Sequence, residues 1–245
     1  MERNPAYEGS AQSSMAELRL LHLADSALPI GSLAHSLGLE TLVDAGHLTV
    51  GRLADFLQGY IEEAGFLEAV FCRAGFFLAH RNEEFDQGRW LNLNDRLSAL
   101  KPAREGRSSS AALGRNFLAL ARAVEDLPVL HQALAISHVL GGGARGMVHH
   151  SLAFGLVGGA LELHQDRVVL AYLHQSVANL ISACQRLMPL GQTEASRILW
   201  NLKSAIIETA ECTLGCAPED ACCFTPLVDW GAMEHPALRT RLFIS

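Results

Sequence analysis

Along most of this chain apolar residues recur three and four positions apart, the spacing that lines up one face of a helix. The clearest case is 168–187, where Val169, Leu173, Val177, Leu180, Ile181 and Cys184 fall on one side. A second set, Leu53, Phe56, Leu57, Tyr60, Ile61 and Ala64, follows Thr49, which is placed to cap it. Gly65 predicts a kink before a further apolar run over 66–78. The polar residues 80–87 read as a connection, and the helical period resumes at Leu93, Leu97 and Leu100 until Pro102 limits it. Residues 104–110 (REGRSSS) read as the polar start of a helix continuing through Leu113, Phe117, Leu118 and Leu120. Asp126 and Pro128 open another, expected to reach residue 140. The helix expected over 147–163 is rich in small residues (Ser151, Ala153, Gly155, Gly158, Gly159, Ala160). Small residues let backbones approach closely, which places that helix at the centre. After a break at 188–191, Ile198, Leu199, Leu202, Ala205, Ile206 and Thr209 predict one helix over about 193–213. Pro226 opens a short helix, and the partly apolar end 233–245 is too short to stand alone and is expected to dock.

The stretch 20–42 (LLHLADSALPIGSLAHSLGLETL) organises the rest. Leu20, Leu21, Leu23 and Ala24 give a small apolar face that Pro29 ends. Gly31 permits a path that a residue with Cβ resists, and Ser32 is placed to cap a helix over about 33–45, stopped by Gly46. No repeat and no linker interrupts the pattern. It predicts an all-α protein, a single-domain compact helical bundle of roughly eight to ten helices over 16–245. Residues 1–15 are expected to form a disordered tail, with Met15 an alternative start, and 226–245 a docking C-terminal segment.

Composition sharpens this reading. The chain has 245 residues, 49% hydrophobic and 18% charged, with a formal charge of −7. That balance gives no basic face for nucleic acid. Leu and Ala outnumber Val and Ile, which favours helix. No run reaches the ~18 apolar residues of a membrane span, and the polar start lacks a signal pattern. The six cysteines are therefore expected to be reduced thiols in a cytoplasmic protein.

Chemistry is sparse. Residues 141–146 (GGGARG) fit G-x-G-x-x-G, but a dinucleotide site also requires a preceding strand and an acidic residue after the second strand. Neither is readable, so a helix–helix turn is the better reading. No phosphate-loop run, G-x-S-x-G elbow or H-E-x-x-H occurs. The pairs Glu62–Glu63 and Glu83–Glu84 read as solvated faces. His149 and His150 point about 100° apart on a helix and do not easily share an ion. His131 and His138 lie two turns apart, and His164 stands alone. Cys212, Cys216, Cys222 and Cys223 fit either a tetrahedral metal site or small buried thiols. No catalytic, cofactor or metal residue follows, and nothing demands an enzyme.

Three separated regions, in order, resemble the urease accessory protein F family. The first is Ala27-Leu28-Pro29-Ile30-Gly31-Ser32, then His35-Ser36, then Gly38-Leu39-Glu40. The second is Arg186-Leu187-Met188-Pro189-Leu190-Gly191-Gln192-Thr193-Glu194 followed by Arg197-Ile198-Leu199, similar to that family's proline-leucine-glycine-glutamine junction. The third is the closing pattern Pro226, Asp229, Met233, His235, Leu238 and Arg241-Leu242-Phe243-Ile244-Ser245. A fainter echo is 149–155 (HHSLAFG). The resemblance implies an all-α homodimer that joins an accessory protein called D or H and a GTPase called G. That complex delivers nickel to apo-urease, and the F protein is a scaffold without cofactor or catalytic residues. The partner-binding positions implied are Pro29, Ile30, Gly31, Ser32, Leu33, His35, Glu40, Arg239, Arg241, Leu242 and Phe243. GTPase recruitment falls near 30–35 and Arg241, and the C-terminal segment orders against the D/H protein.

Two positions depart from the family pattern. Leu33 stands where Phe or Tyr is usual, which removes any stacking or hydroxyl role. Pro236 follows His235 where an acid is usual, which puts a local cap or ion pair in doubt. The rival reading is a small helical nickel carrier using the late cysteines and His149–His150.

Overall fold

The computed structural model describes residues 5–80, 84–139 and 146–245, and all regular structure among them is helical. In chain order the helices are α1 Pro5–Leu23, α2 Leu39–Asp44, α3 Leu53–Tyr60, α4 Phe66–His80, α5 Gln87–Ala99 and α6 Arg104–Val124. They continue with α7 Pro128–Val139, α8 His150–Ala160, α9 Gln165–Leu187, α10 Gln192–Asn201, α11 Lys203–Cys212 and α12 Pro226–Glu234. Helix α1 begins at Pro5, so it reaches into the polar stretch expected to be tail.

The middle of the fold is α8, packed between α4 and α6. Residues 150–159 are all buried, and the pattern of small residues explains why. Gly155 lies so close to α4 that an added Cβ would sit 1.9 Å from the Cys72 carbonyl oxygen. The carbonyl of Leu152 comes equally near α4, 2.3 Å from a Cβ built on Gly75. Around this axis Phe71, Trp90, Phe117 and Phe154 are fully buried, and α9 closes one side with Val168, Val169, Leu173 and Val177. Buried Arg73 ties three helices together. Its guanidinium donates to Thr213 Oγ1 (2.7 Å) and the Ala210 carbonyl (3.0 Å) at the end of α11, and to Asp166 (2.6 Å) at the start of α9. Each of the three guanidinium nitrogens has a partner, and the Asp166 carboxylate compensates the buried charge.

Several expected elements differ. The helix predicted over 33–45 is broken: a 3₁₀ turn, Ser32–Ala34, is followed by an irregular corner and then α2. Leu37 (φ 52°) and Gly38 (φ 89°) take left-handed conformations at that corner. Gly38 is there for space as well, since a Cβ would lie 2.7 Å from the Ala232 nitrogen on α12. Neither Ser32 nor Thr49 caps with its side chain; the residue at the cap position before the 3₁₀ turn is Gly31. The predicted kink at Gly65 is a π turn, Ile61–Gly65, which joins α3 to α4 without a break. Such a turn absorbs one residue and keeps both apolar faces inward. The single helix expected over 193–213 bends at Leu202 into α10 and α11, and the helix expected over 147–163 is confined to His150–Ala160. The glycine run 141–145 lies outside the described residues, as does Glu83.

His149 and His150 are core groups. His149 is held between Ser98 Oγ (2.7 Å) and Ser110 Oγ (3.0 Å), and His150 packs on Phe117, Phe154 and Tyr172. Burial pushes His149 down to about 3, with the Lys101 charge helping and Glu68 opposing, and burial pushes His150 down to about 4. In the unfolded chain both titrate near ~6.5. Their neutral forms therefore stabilise the fold fully above that value. Stability is lost as pH falls below it, by about 1.4 kcal/mol per pH unit and per histidine. We expect the urea midpoint to drop between about pH 6.5 and about pH 4.5, and His150→Phe, which keeps the ring contacts, to shed about half of the slope. An unchanged slope in that variant would mean that other groups carry the acid sensitivity.

Candidate functional site

The first and third signature regions meet. The C-terminal segment after α12 turns through the 3₁₀ turn His235–Ala237 and lies back along the corner between residues 34 and 40. Two backbone bonds fix the register: Ile244 N–H donates to the Ala34 carbonyl (2.9 Å) and Ser36 N–H to the Ser245 carbonyl (2.5 Å). His35 Nδ1 and Ser245 Oγ share a hydrogen bond of 2.7 Å.

Glu40, on α2, anchors the segment. Its carboxylate accepts the Leu242 N–H (2.6 Å) and the Phe243 N–H (3.2 Å), and its Oε2 also takes His235 Nε2 (3.0 Å). Burial pushes the Glu40 carboxyl up, but the two backbone donors and His235 outweigh it and hold the group below the usual carboxylate range. His235, 0% exposed, is gripped on its other side by Glu105 of α6 (Nδ1 to Oε2, 2.7 Å). Arg241 Nη1 lies 3.7 Å from the other Glu105 oxygen. Burial lowers the His35 pKa, against the raising effect of the Glu105 charge.

The second signature region joins the same place. Arg186, near the end of α9, donates to the Leu33 carbonyl (2.7 Å), and its guanidinium lies 4.3 Å from the centre of the Phe243 ring. Such a cation over a ring face is attractive. Asn116 of α6 donates to the Ile30 carbonyl (2.9 Å). The implied partner-binding positions therefore divide. Pro29, Gly31, Leu33, Arg239, Arg241 and Leu242 are exposed, and His35 is half-buried. Ile30, Ser32, Glu40 and Phe243 are buried. Glu40 was expected to present a polar contact; it is instead turned inward onto the chain's own backbone. His235, Glu105, Arg186 and Asn116 were not singled out, although His235 and Arg186 stand inside the quoted motifs. Pro236 lies within the turn that delivers His235 to two carboxylates.

A cavity of about 150 Å³ lies beneath the corner, reaching from Ser32 and His35 to Glu68, Lys101, His150 and Cys223. Glu68 and Lys101 form an ion pair on its wall. The late cysteines do not converge on an ion: Cys212 and Cys222 are exposed, Cys216 and Cys223 half-buried. Among the described residues no group of three or more His, Cys, Asp or Glu side chains is arranged to hold a metal. None of the described helices is long and apolar enough to cross a membrane.

The geometry defines an all-α protein in which a buried polar cluster fastens the chain's own closing segment beside a partly exposed corner. Comparison with known proteins shows the family to which it belongs. The UreF family model matches residues 49–203. The urease accessory protein UreF of a Bradyrhizobium species (strain ORS 278) is 33% identical over 245 residues, covering 99% of this chain and 97% of that protein. The UreF of Rhodopseudomonas palustris (strain BisA53) is 32% identical over 238 residues, with 96% of each chain covered, and that of Corynebacterium glutamicum (strain R) 29% over 233 residues, 94% and 98%. The chain belongs to the UreF family of urease accessory proteins.

Proposed function

We propose that this chain works in urease maturation as a scaffold with no catalytic residue of its own. In this reading it is a cytoplasmic homodimer that joins the D/H accessory protein to the GTPase G and, through that complex, serves apo-urease. Nickel is the cargo and GTP hydrolysis belongs to G. The observation that carries the reading is the junction itself. Residues 30–35 and the closing segment, separate in sequence, form one surface held from beneath by Glu40 and Arg186. Such a surface offers exposed Leu33, Arg239, Arg241 and Leu242 on a fixed backbone, and preorganisation of this kind lowers the entropic cost of association.

The test is to produce the cognate urease with its accessory set, with and without this chain, and to measure nickel content and activity. The reading expects apo-urease without the chain and filled urease with it. Equal nickel loading would overturn it. Arg241→Ala gives a finer check. Its side chain is half-exposed and only loosely paired with Glu105, so the fold is expected to be unaffected. Loss of a charged contact at a partner surface is worth about 1.5–3 kcal/mol. GTPase recruitment in a pull-down titration is therefore expected to weaken roughly ten- to hundredfold. Recruitment and GTP turnover both intact would remove Arg241 from the interface.

A further inference from the structure

The cavity beneath the corner holds an ion pair in nearly closed surroundings. Lys101 Nζ donates to one oxygen of Glu68, with the two side chains 21% and 12% exposed, and the Tyr172 hydroxyl donates to the other Glu68 oxygen (3.3 Å). Burial pushes the Glu68 carboxyl up, but the Lys101 charge and hydrogen bond outweigh it and hold the group below the usual carboxylate range. Neither partner is used up. Among the described residues Glu68 is the one acceptor of Lys101 Nζ, and an ammonium group donates more than once while a carboxylate accepts more than twice. Two further lining side chains, His150 and Asn179, keep a polar atom (Nε2 and Oδ1) buried without a hydrogen-bond partner among the described residues. Unmet polar capacity of this kind is costly, so a polar cavity does not stay empty.

Charge and size select the occupant. Glu68 and Lys101 cancel one another. Burial pushes His150 down to about 4, lowers His35 as well, and raises the Cys223 thiol and the Tyr60 and Tyr172 hydroxyls, so these groups bring little charge at neutral pH. Asp229 is partly exposed and accepts from Thr225 Oγ1 (3.3 Å). An anion would meet Lys101 but also Glu68, a cation the reverse, and either would carry an unpaired charge into a poorly hydrated site. A neutral group with an acceptor and a donor side by side suits both members of the pair at once, and a planar primary amide is such a group. A cavity of about 150 Å³ has room for about six non-hydrogen atoms. Leu100, Leu113, Leu173 and Val177 also line it; they give a water molecule no partner but pack against the short hydrocarbon part of an amide.

We propose that this cavity is a binding site for a small primary amide, whose carbonyl oxygen accepts from Lys101 Nζ and whose NH₂ donates to the Glu68 carboxylate. The ion pair then acts as one neutral, two-point recognition element, and the apolar wall limits the hydrocarbon part to a few carbons. The site goes beyond the scaffold reading and does not rest on it, because it belongs to the isolated chain and needs no partner, nickel or urease.

The experiment is saturation-transfer NMR on the full chain with acetamide, acetate and acetamidinium, which share one shape and differ in charge. The methyl signal of each probe is titrated at pH 7. Acetamide is expected to bind in the millimolar range, as suits a ligand this small. Acetate and acetamidinium are expected to bind about tenfold more weakly or worse, since each brings an uncompensated charge. In Glu68→Gln the Lys101 charge loses its carboxylate, so the order is expected to reverse, with acetate ahead of acetamide. Circular dichroism reports whether that variant is folded. Should it not be, Ser176→Leu decides: it narrows the cavity from α9 without touching the ion pair, and most of the acetamide signal is expected to be lost. No transfer to acetamide would overturn the proposal and leave a cavity that holds water alone. Equal transfer to all three probes, an unchanged order in folded Glu68→Gln, or full acetamide binding in Ser176→Leu would each overturn it as well. The last would place the amide elsewhere on the chain.

Discussion

Gly155→Ala is expected to cost this protein about 4 kcal/mol or more and to leave little of it folded at 37 °C. The added methyl would meet Cys72 O at 1.9 Å, Cys72 C at 2.8 Å and Phe76 N at 2.9 Å, all backbone atoms of α4. No side chain can swing aside, so α8 must move away from α4 by more than an ångström. The displacement propagates, because Gly159 against Phe76 and Gly75 against Leu152 form the neighbouring steps of the same seam. Ordinary overpacking costs about 1–3 kcal/mol where the surroundings relax. Two helix backbones pressed together at the centre of the core cannot relax in that way. Gly59→Ala supplies the control. It is the same chemical change in α3, with nothing within 4 Å of the new Cβ. There the better helix propensity of alanine is expected to add about 0.5–1 kcal/mol of stability. Urea unfolding of both variants checks the pair. Gly155→Ala within about 1 kcal/mol of wild type would mean that the helices are not this close.

That central seam was legible in the sequence because its signal is compositional: small residues at successive turns between apolar ones. The same is true of α9, where an uninterrupted apolar period decided both type and extent, and of α12, opened by Pro226. What local pattern left unread has a common cause. The corner at 35–38 lies where the chain meets α12: Leu37 takes φ 52° although nothing in leucine favours it, and Gly38 beside it packs against α12 with no room for a Cβ. The π turn at 61–65 leaves the apolar faces in register and so barely disturbs the period. Glu40 reads in the sequence as one of the implied partner-binding positions, since acids on helices usually face outward. Its partners are Leu242, Phe243 and His235, about 200 positions further along, and no local spacing announces them. The resemblance to a known family marked the right stretches, including Arg186, but did not say that three of its motifs meet at one junction.

The largest functional effect we expect from a single change is therefore at Glu40. Glu40→Ala removes the acceptor for two backbone N–H groups and strips His235 of one of its two carboxylates. Leaving buried donors without their acceptor costs about 1–3 kcal/mol for each group left unpaired. The chain has a way to avoid that cost. The segment after α12 is joined to the body chiefly through Glu40, the two backbone bonds at residues 34 and 36, and Phe243 beneath Arg186. It can leave while α4, α8 and α9 stay packed. The expected result is a folded body whose thermal midpoint falls by only a few degrees, with residues 238–245 released. Limited trypsin digestion reads the release directly, by cleavage at Arg239 and Arg241 that the wild type resists. Glu40→Gln is the milder partner: its amide oxygen still accepts one of the two backbone N–H groups, but its NH₂ faces the other donor to donor, so an intermediate cleavage rate is expected. If the junction is the partner surface, nickel loading of urease falls in the same order, wild type above Gln above Ala, with circular dichroism unchanged. Rapid cleavage together with full nickel loading would separate the two ideas. Glu40 would then fasten the segment as described, and the fastened form would not be the one that partners recognise.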